Sequence, residues 1–480
     1  SRLLYVVCDT RNVCGICDIG VVCVICVIAA DRCRGLLPAG HPALSELLGE
    51  LAGSGRLADV LTAPSLALDP ECDPWEWFFR HDPPEGFSRQ EWWTAVRLNR
   101  ERTARSTPLT MTDGTPLTYN LPDPLLRLID DVSTRARGQV ELPEPIANTA
   151  TRDRYLVRSL IEEAITSSQL EGASTSRVRA KQMLREDRSP RDRSERMILN
   201  NYRAMQRITE LKDEPLTPAL ITQIHRIVTE GTLDDPDDAG RLRHPGEQRV
   251  RIYGASGDEQ VLHVPPTAED LPERLERLCA FANAADDASQ GAPYMPPLIR
   301  AITAHFIMGY DHYFVDGNGR TARAVFYWAM LHQGFFLTEF LSVSRLLRRA
   351  PAQYARSFLL TEGDEGDLTH FLLAQARVVA QSIDDLDAYL ERKTGQLRQA
   401  SRALRKWGLN HRQIAVVESF LRDPTGSVTV EAHRMVHGVV PQTARSDLQE
   451  LEARGLLVSA KQGRRVVWFP VDDLAQQVRV

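Results

Sequence analysis

No stretch of the 480-residue chain is long and apolar enough to cross a bilayer as a helix. The longest such run, Ile19 to Ala30 (IGVVCVICVIAA), holds 12 residues, against the roughly 20 that a span requires. It lacks a basic leader, and the AADRC that closes it is a poor cleavage pattern, which argues against a secretory signal. No G-x-x-x-x-G-K-[ST] occurs, so a P-loop nucleotide site is excluded. Positive charge is not in excess: 58 Lys and Arg against 64 Asp and Glu leave a net charge of -6. That excludes a chain coating nucleic acid along its whole length, but not one local basic module.

Cysteine is scarce except at the start. Six of the eight lie at Cys8, Cys14, Cys17, Cys23, Cys26 and Cys33, leaving only Cys72 and Cys279 beyond. Cys14–Cys17 and Cys23–Cys26 form two C-x-x-C pairs, the spacing of a zinc or iron–sulfur site. The intervening DIGVV is shorter and more apolar than a knuckle loop, which favours an apolar segment that merely contains cysteines. The chain opens on Ser, and residues 1–40 are read as an uncertain, Cys-rich start. With no membrane span, the expected setting is cytoplasmic, with reduced thiols.

What is present reads as two or three domains, too long for one ordinary core. Residues 41–145 form an N-terminal extension in which Trp75, Trp77, Trp92 and Trp93 cluster, an aromatic anchor for docking on the helical region after it. ELPEPIANTATRD reads as a linker. From Arg152 to about residue 395 the pattern is helical: YLVRSLIEEAITSSQL places Leu156, Leu160, Ile161 and Ile165 on one face. PPLIRAITAHFIMGYDHYF is apolar nearly all round, the mark of a buried central helix. The exception is Arg249–Pro266, two Val- and Ile-rich runs about GASGDE, a β-hairpin pattern. Beyond Gly366 a long charged helix carries Leu372, Val379, Ile383, Leu386, Leu390 and Leu397 at heptad-like spacing, which serves as a connecting helix or as a homodimer seam.

Residues 401–480 differ. NHRQIAVVESFLRD, VTVEAHRMVHG and VPQTARSDLQELEARGLL read as three helices, and LVSAKQGRRVVWFPV as two strands. That is the winged helix-turn-helix order, a small α+β domain. Gln442, Thr443 and Arg445 fall on the third helix's first turn, where base edges are read, and Lys461, Arg464 and Arg465 at the wing tip near phosphates. The module binds DNA or docks protein.

The densest chemistry lies in HYFVDGNGRTAR, His312 to Arg323. A helix ending near Tyr310 and another starting near Arg320 leave DGNG as the turn. Gly317 and Gly319 let successive N–H groups converge on an anion, and the next helix adds its positive dipole end. Arg320 and Arg323, three apart, grip further phosphate oxygens. Asp316 is placed to hold a Mg²⁺ bridging those phosphates, and His312 to take a proton from an incoming hydroxyl. The set fits attack on a nucleoside triphosphate.

These residues resemble the Fic (Fido) family signature H-x-F-x-[DE]-G-N-G-R-x-x-R at His312, Phe314, Asp316, Gly317, Asn318, Gly319, Arg320 and Arg323. Tyr313 departs from it, standing where most members have Pro, and bears on the loop's stiffness. The resemblance spans about residues 150–395 and implies a mainly α fold: an all-helical core, here residues 146–400, with the hairpin as its flap. It implies transfer of AMP from ATP to a protein hydroxyl, with His312 as base and Asp316 as Mg²⁺ ligand. Asn318 and the backbone beside it would meet the α-phosphate, and Arg320 and Arg323 the β- and γ-phosphates. Tyr354 in APAQYARSF matches one of a recurring tyrosine pair near the nucleotide, though Ala355 stands at the other. Upstream, SSQLEG (Ser167 to Gly172) resembles the family's inhibitory [ST]-x-x-x-E-[GN], which implies that Glu171 takes Arg323 from the γ-phosphate. A target segment would join the flap by strand addition. Self-modification, transfer of UMP or phosphocholine, and a DNA-binding regulator that senses nucleotide stay open beside the AMP reading.

Overall fold

The computed structural model describes residues 42–63, 66, 69, 71–137, 149–247, 252–253, 261–284, 294–422, 426–462 and 465–478. The Cys-rich start, the tip of the hairpin and Arg464 lie outside them. The chain divides into two compact units, one of residues 1–142 and 154–383, the other of 143–153 and 384–480.

The first unit opens with α1 (Leu44–Gly53), α2 (Leu57–Thr62), α3 (Trp75–Arg80) and α4 (Arg89–Thr103). Helix α4 starts at a capping box in which Ser88 and Glu91 satisfy each other's backbone N–H groups. Trp75, Phe78, Trp93 and Val96 close over Leu47, with Trp77 and Trp92 at the rim. The tryptophans thus hold the extension's own helices together. Ionic and main-chain contacts tie it to the rest of the unit: buried Arg97 pairs with Asp364 and Glu365, and Arg356 reaches Glu76 at 2.8 Å.

A hairpin follows, β1 (Arg105–Thr110) and β2 (Pro116–Tyr119), turned at Thr112–Gly114. The D-G pair in MTDGTP carried that signal in the sequence. Strand β2 then bonds the chain before the long C-terminal helix: Thr118 N–H donates to Gly366 O (3.0 Å) and Leu368 N–H to Thr118 O (2.8 Å).

The helical core comprises α5 (Asp123–Ala136), α6 (Thr149–Leu170), α7 (Arg177–Arg185), α8 (Arg193–Glu210), α9 (Pro218–Thr229), the two-stranded β3 (Ile252–Tyr253) and β4 (Val261–His263), α10 (Leu271–Asn283), α11 (Pro297–Asp311), α12 (Asn318–His332), α13 (Val343–Leu347), α14 (Pro351–Gly363) and the long α15 (Thr369–Lys406). Helix α11 is buried on every side, as its all-round apolar sequence requires, and packs on α10 and α12, while α12 also meets α8 and α9. On α15, Leu372, Val379 and Ile383 are consumed in this unit's core.

The second unit contains α16 (His411–Arg422), β5 (Val428–Thr429), α17 (Val430–His437), α18 (Pro441–Ala453), β6 (Leu457–Gln462), β7 (Arg465–Pro470) and α19 (Leu474–Gln477). Its three strands pair antiparallel in the order β5-β7-β6. Val417, Leu448, Leu456 and Trp468 centre an apolar core of its own. Pro441 opens α18, where its missing N–H costs nothing, and Gly438 at φ 64° ends α17.

Candidate active site

The loop from His312 to Gly317 joins the two most buried helices. Helix α11 stops because His312 adopts a left-handed conformation, φ 49° and ψ 58°, at a strain of roughly 1–2 kcal/mol for a residue with a Cβ. Gly317, at φ 82°, starts α12, and a Cβ there would lie 2.6 Å from the Thr229 methyl, so only glycine fits. The helix begins at Asn318, ahead of Arg320. The Asn318 carboxamide accepts from Phe314 N–H (2.9 Å) and donates to Phe314 O (2.8 Å), stapling the loop's two ends. Its side chain is therefore occupied, and the backbone N–H groups beside it are what the turn offers an anion.

The His312 ring donates Nδ1–H to Gly309 O at 2.8 Å, which leaves the lone pair on Nε2. Burial lowers its pKa to about 4, against the pull of that carbonyl, so the imidazole is neutral at ordinary pH. Tyr313, fully buried, donates its hydroxyl to Asp311 (2.7 Å), which also takes Arg274 at 2.7 Å. A hydrogen-bonded tether thus stands where a proline ring would stiffen the chain.

Asp316 accepts from Gly317 N–H at 2.6 Å and faces Arg193 at 3.7 Å, with its carboxylate partly exposed. Among the described residues no three metal-ligating side chains cluster. Mg²⁺ held chiefly by phosphates needs only one or two carboxylates, so a single open Asp316 fits that mode. Arg320 and Arg323 are both 2% exposed. Arg320 donates to Val228 O (2.7 Å), and its Nε is buried without a hydrogen bond among the described residues. Arg323 donates to Ser167 Oγ (2.8 Å), Ser167 O (3.0 Å) and Glu171 Oε1 (2.7 Å), while its Nη1 is buried with no partner among them. Both guanidinium groups lie in the first turns of α12, whose N-terminus favours an anion, and so fit phosphate oxygens. Glu171 sits just past α6, where Gly172 at φ 88° turns the chain away.

A small cavity of about 60 Å³ adjoins His312 and Arg323, lined by Ala322, Tyr354, Ala355, Phe358 and Leu359. Tyr354 bonds His305 Nε2 at 2.9 Å.

No sequence pattern pointed to His225, which stacks on Phe314 at 3.7 Å. Its Nδ1 accepts from Gly240 N–H and its Nε2 donates to Asp316 O at 2.8 Å. Both ring nitrogens being so used, it is a neutral prop under the loop. Only the fold brings α9 beneath residues 314–317.

The Fic/DOC family model matches residues 215–330. The chain is 29% identical over 185 residues to the protein adenylyltransferase Fic of Nematostella vectensis, covering 38% of this chain and 36% of that protein. It is 33% identical over 115 residues to the protein adenylyltransferase fic-1 of Caenorhabditis briggsae, covering 24% and 19%. The chain thus spans well under half the length of these relatives. Among solved structures, a Fic family protein from Desulfovibrio desulfuricans G20 aligns with a TM-score of 0.48 at 14% identity, over 74% of this chain and 98% of that one.

Proposed function

We propose that this protein is a Fic-type transferase that moves AMP from ATP to a hydroxyl of a target protein or of itself, and that Glu171 holds it in check. One observation carries the reading: the buried 2.7 Å pair between Glu171 and Arg323, the last arginine of the loop motif. His312 Nε2 takes the proton of the attacking hydroxyl. The new bond forms from that oxygen to the α-phosphorus as the α–β bridging bond breaks, and pyrophosphate leaves. Asp316 holds the Mg²⁺ that neutralises phosphate charge. The N–H groups at the start of α12 meet the α-phosphate, and Arg320 and Arg323 the outer phosphates. The β3–β4 pair accepts an extended target segment at its edge. The loop chemistry is indifferent to the base, so UMP or phosphocholine transfer is separated from AMP transfer by offering each labelled donor.

A second role rests on the C-terminal unit, read as a winged helix. Arg445 on α18 and Lys461 and Arg465 on the β6–β7 hairpin are exposed, and the module would contact DNA with that helix and wing.

The deciding experiment is self-modification with labelled ATP and Mg²⁺ by the parent and by Glu171→Gly. With Arg323 released, activity rises about a hundredfold, which corresponds to about 2.7 kcal/mol favouring the inhibited arrangement. Glu171→Gly with Arg323→Ala loses the gain. Equal activity in parent and Glu171→Gly would reduce Glu171 to a helix end.

A further inference from the structure

A helix that ends on a left-handed residue leaves its last carbonyls without intrahelical partners, at the negative end of its dipole. In α11 those carbonyls belong to Tyr310, Asp311 and His312, the residues that set where the His312 ring lies. Each is taken by a residue bordering or within the β3–β4 hairpin. Arg243, 5% exposed and nine residues before β3, donates Nε to His312 O at 2.7 Å and Nη2 to Asp311 O at 3.2 Å. Its backbone N–H donates to Tyr313 O at 3.0 Å. His263, the last residue of β4, bonds Tyr310 O through Nε2 at 2.7 Å and Glu362 of α14 through Nδ1 at 2.8 Å. The same Arg243 Nη2 also reaches Pro266 O at 3.0 Å, three residues past β4.

We propose that Arg243 is a positioning residue for the transfer: a single guanidinium caps the catalytic helix and grips the far end of the hairpin, fixing the acceptor platform against the base. The assignment rests on the transferase reading. The planar fork is what permits it, since Nε and Nη2 point at different carbonyls with fixed geometry, whereas an ammonium offers one point of charge. A segment paired to the hairpin edge would then present its hydroxyl at a distance from His312 set by Arg243. Loss of the fork lets hairpin and histidine drift separately, and a misplacement of about 1 Å is enough to cost about 100-fold in rate. The phosphate-binding atoms lie on the other side of the loop, in α12, and are untouched by the change.

The test uses the full chain in the Glu171→Gly background with Arg243→Lys, which keeps the charge and removes the fork. Expected is a fall in kcat of about 100-fold with the Kd for ATP unchanged. The His312 imidazole, followed by NMR, should titrate higher than its present value of about 4. The groups that depress it are its burial and the charges of His263 and Arg243. Lysine preserves the cation, so a rise reports a ring freed toward water. Unchanged kcat, or a loss of ATP affinity equal to the loss of rate, overturns the proposal, the latter by showing mere collapse of the site. Should Arg243→Lys not fold, Arg243→Gln is read the same way by kcat and ATP affinity. If Arg243-intact Glu171→Gly protein transfers nothing, the transferase reading falls by itself. The NMR titration then still decides whether Arg243 places the ring, and an unmoved His312 refutes it.

Discussion

His312 is held twice over, by a left-handed backbone and by a ring buried with its Nδ1–H on Gly309 O. Replacing it with Ala should lower transfer by about 10²–10⁴, the usual worth of a general base, while ATP affinity stays near the parent's. Transfer at the parent rate would dismiss the base assignment. The same burial sets a pH signature. An imidazole with a pKa of about 4 stays neutral down to that pH, so the acid limb of kcat/KM should centre near pH 4. An acid limb at about 6.5, the ordinary histidine value, would mean the ring is open to water in the free enzyme. Much at this scale was legible: two glycines about an asparagine mark a turn, and the resemblance of SSQLEG to an inhibitory pattern pointed to Glu171 as Arg323's partner. His225 and Arg243 were not. Their partners lie 91 and 69 residues away, and a pairing at that separation leaves no local pattern.

Among the elements, the C-terminal helices and hairpin lend themselves to a direct test. Changing Lys461, Arg464 and Arg465 to Ala should weaken DNA binding to all sequences and flatten its salt dependence by roughly one counterion for each phosphate no longer gripped. Changing Arg445 should shift sequence preference instead. No mobility shift with any genomic fragment at low salt would make this unit a protein-docking module. Exposed Met435, Val436 and Val440 at the α17–α18 turn are apolar surface that the DNA reading leaves unused. Element types followed from periodicity, but boundaries followed from side chains. Helix α12 starts at Asn318, whose carboxamide staples Phe314, after Gly317 turns the chain at φ 82°. The β1–β2 hairpin was harder to read, because its strands hold only six and four residues with prolines and threonines between the buried Leu109, Leu117 and Tyr119, although its D-G turn was in view.

At the scale of the whole first unit, buried imidazoles contribute to stability in acid. Burial pushes His225 and His312 down to about 4 and His305 to about 3. Between those values and about 6.5 the unfolded chain binds protons that the folded one does not, so stability rises with pH across that window and is lost as pH falls through it. The slope is about 1.4 kcal/mol per pH unit for each such group. The urea midpoint of this unit should therefore drop from pH 7 to pH 5, and His305→Asn should shrink the drop. A midpoint independent of pH in this range would show that these rings are not buried neutral.

The sequence alone determined the helical character of the core, the turn between its two most buried helices, and the cluster of imidazole, carboxylate and cations at that turn. Those features depend on residue type and short spacing, through backbone conformation and hydrophobic period. The tertiary structure decided which charge meets which. Glu171 reaches Arg323 across 152 residues of chain, Asn318 commits its side chain to the loop, and the tryptophans bind the extension to itself while Arg97 docks it. Such pairings depend on which faces come to share a buried volume, where an unpaired charge costs far more than in water.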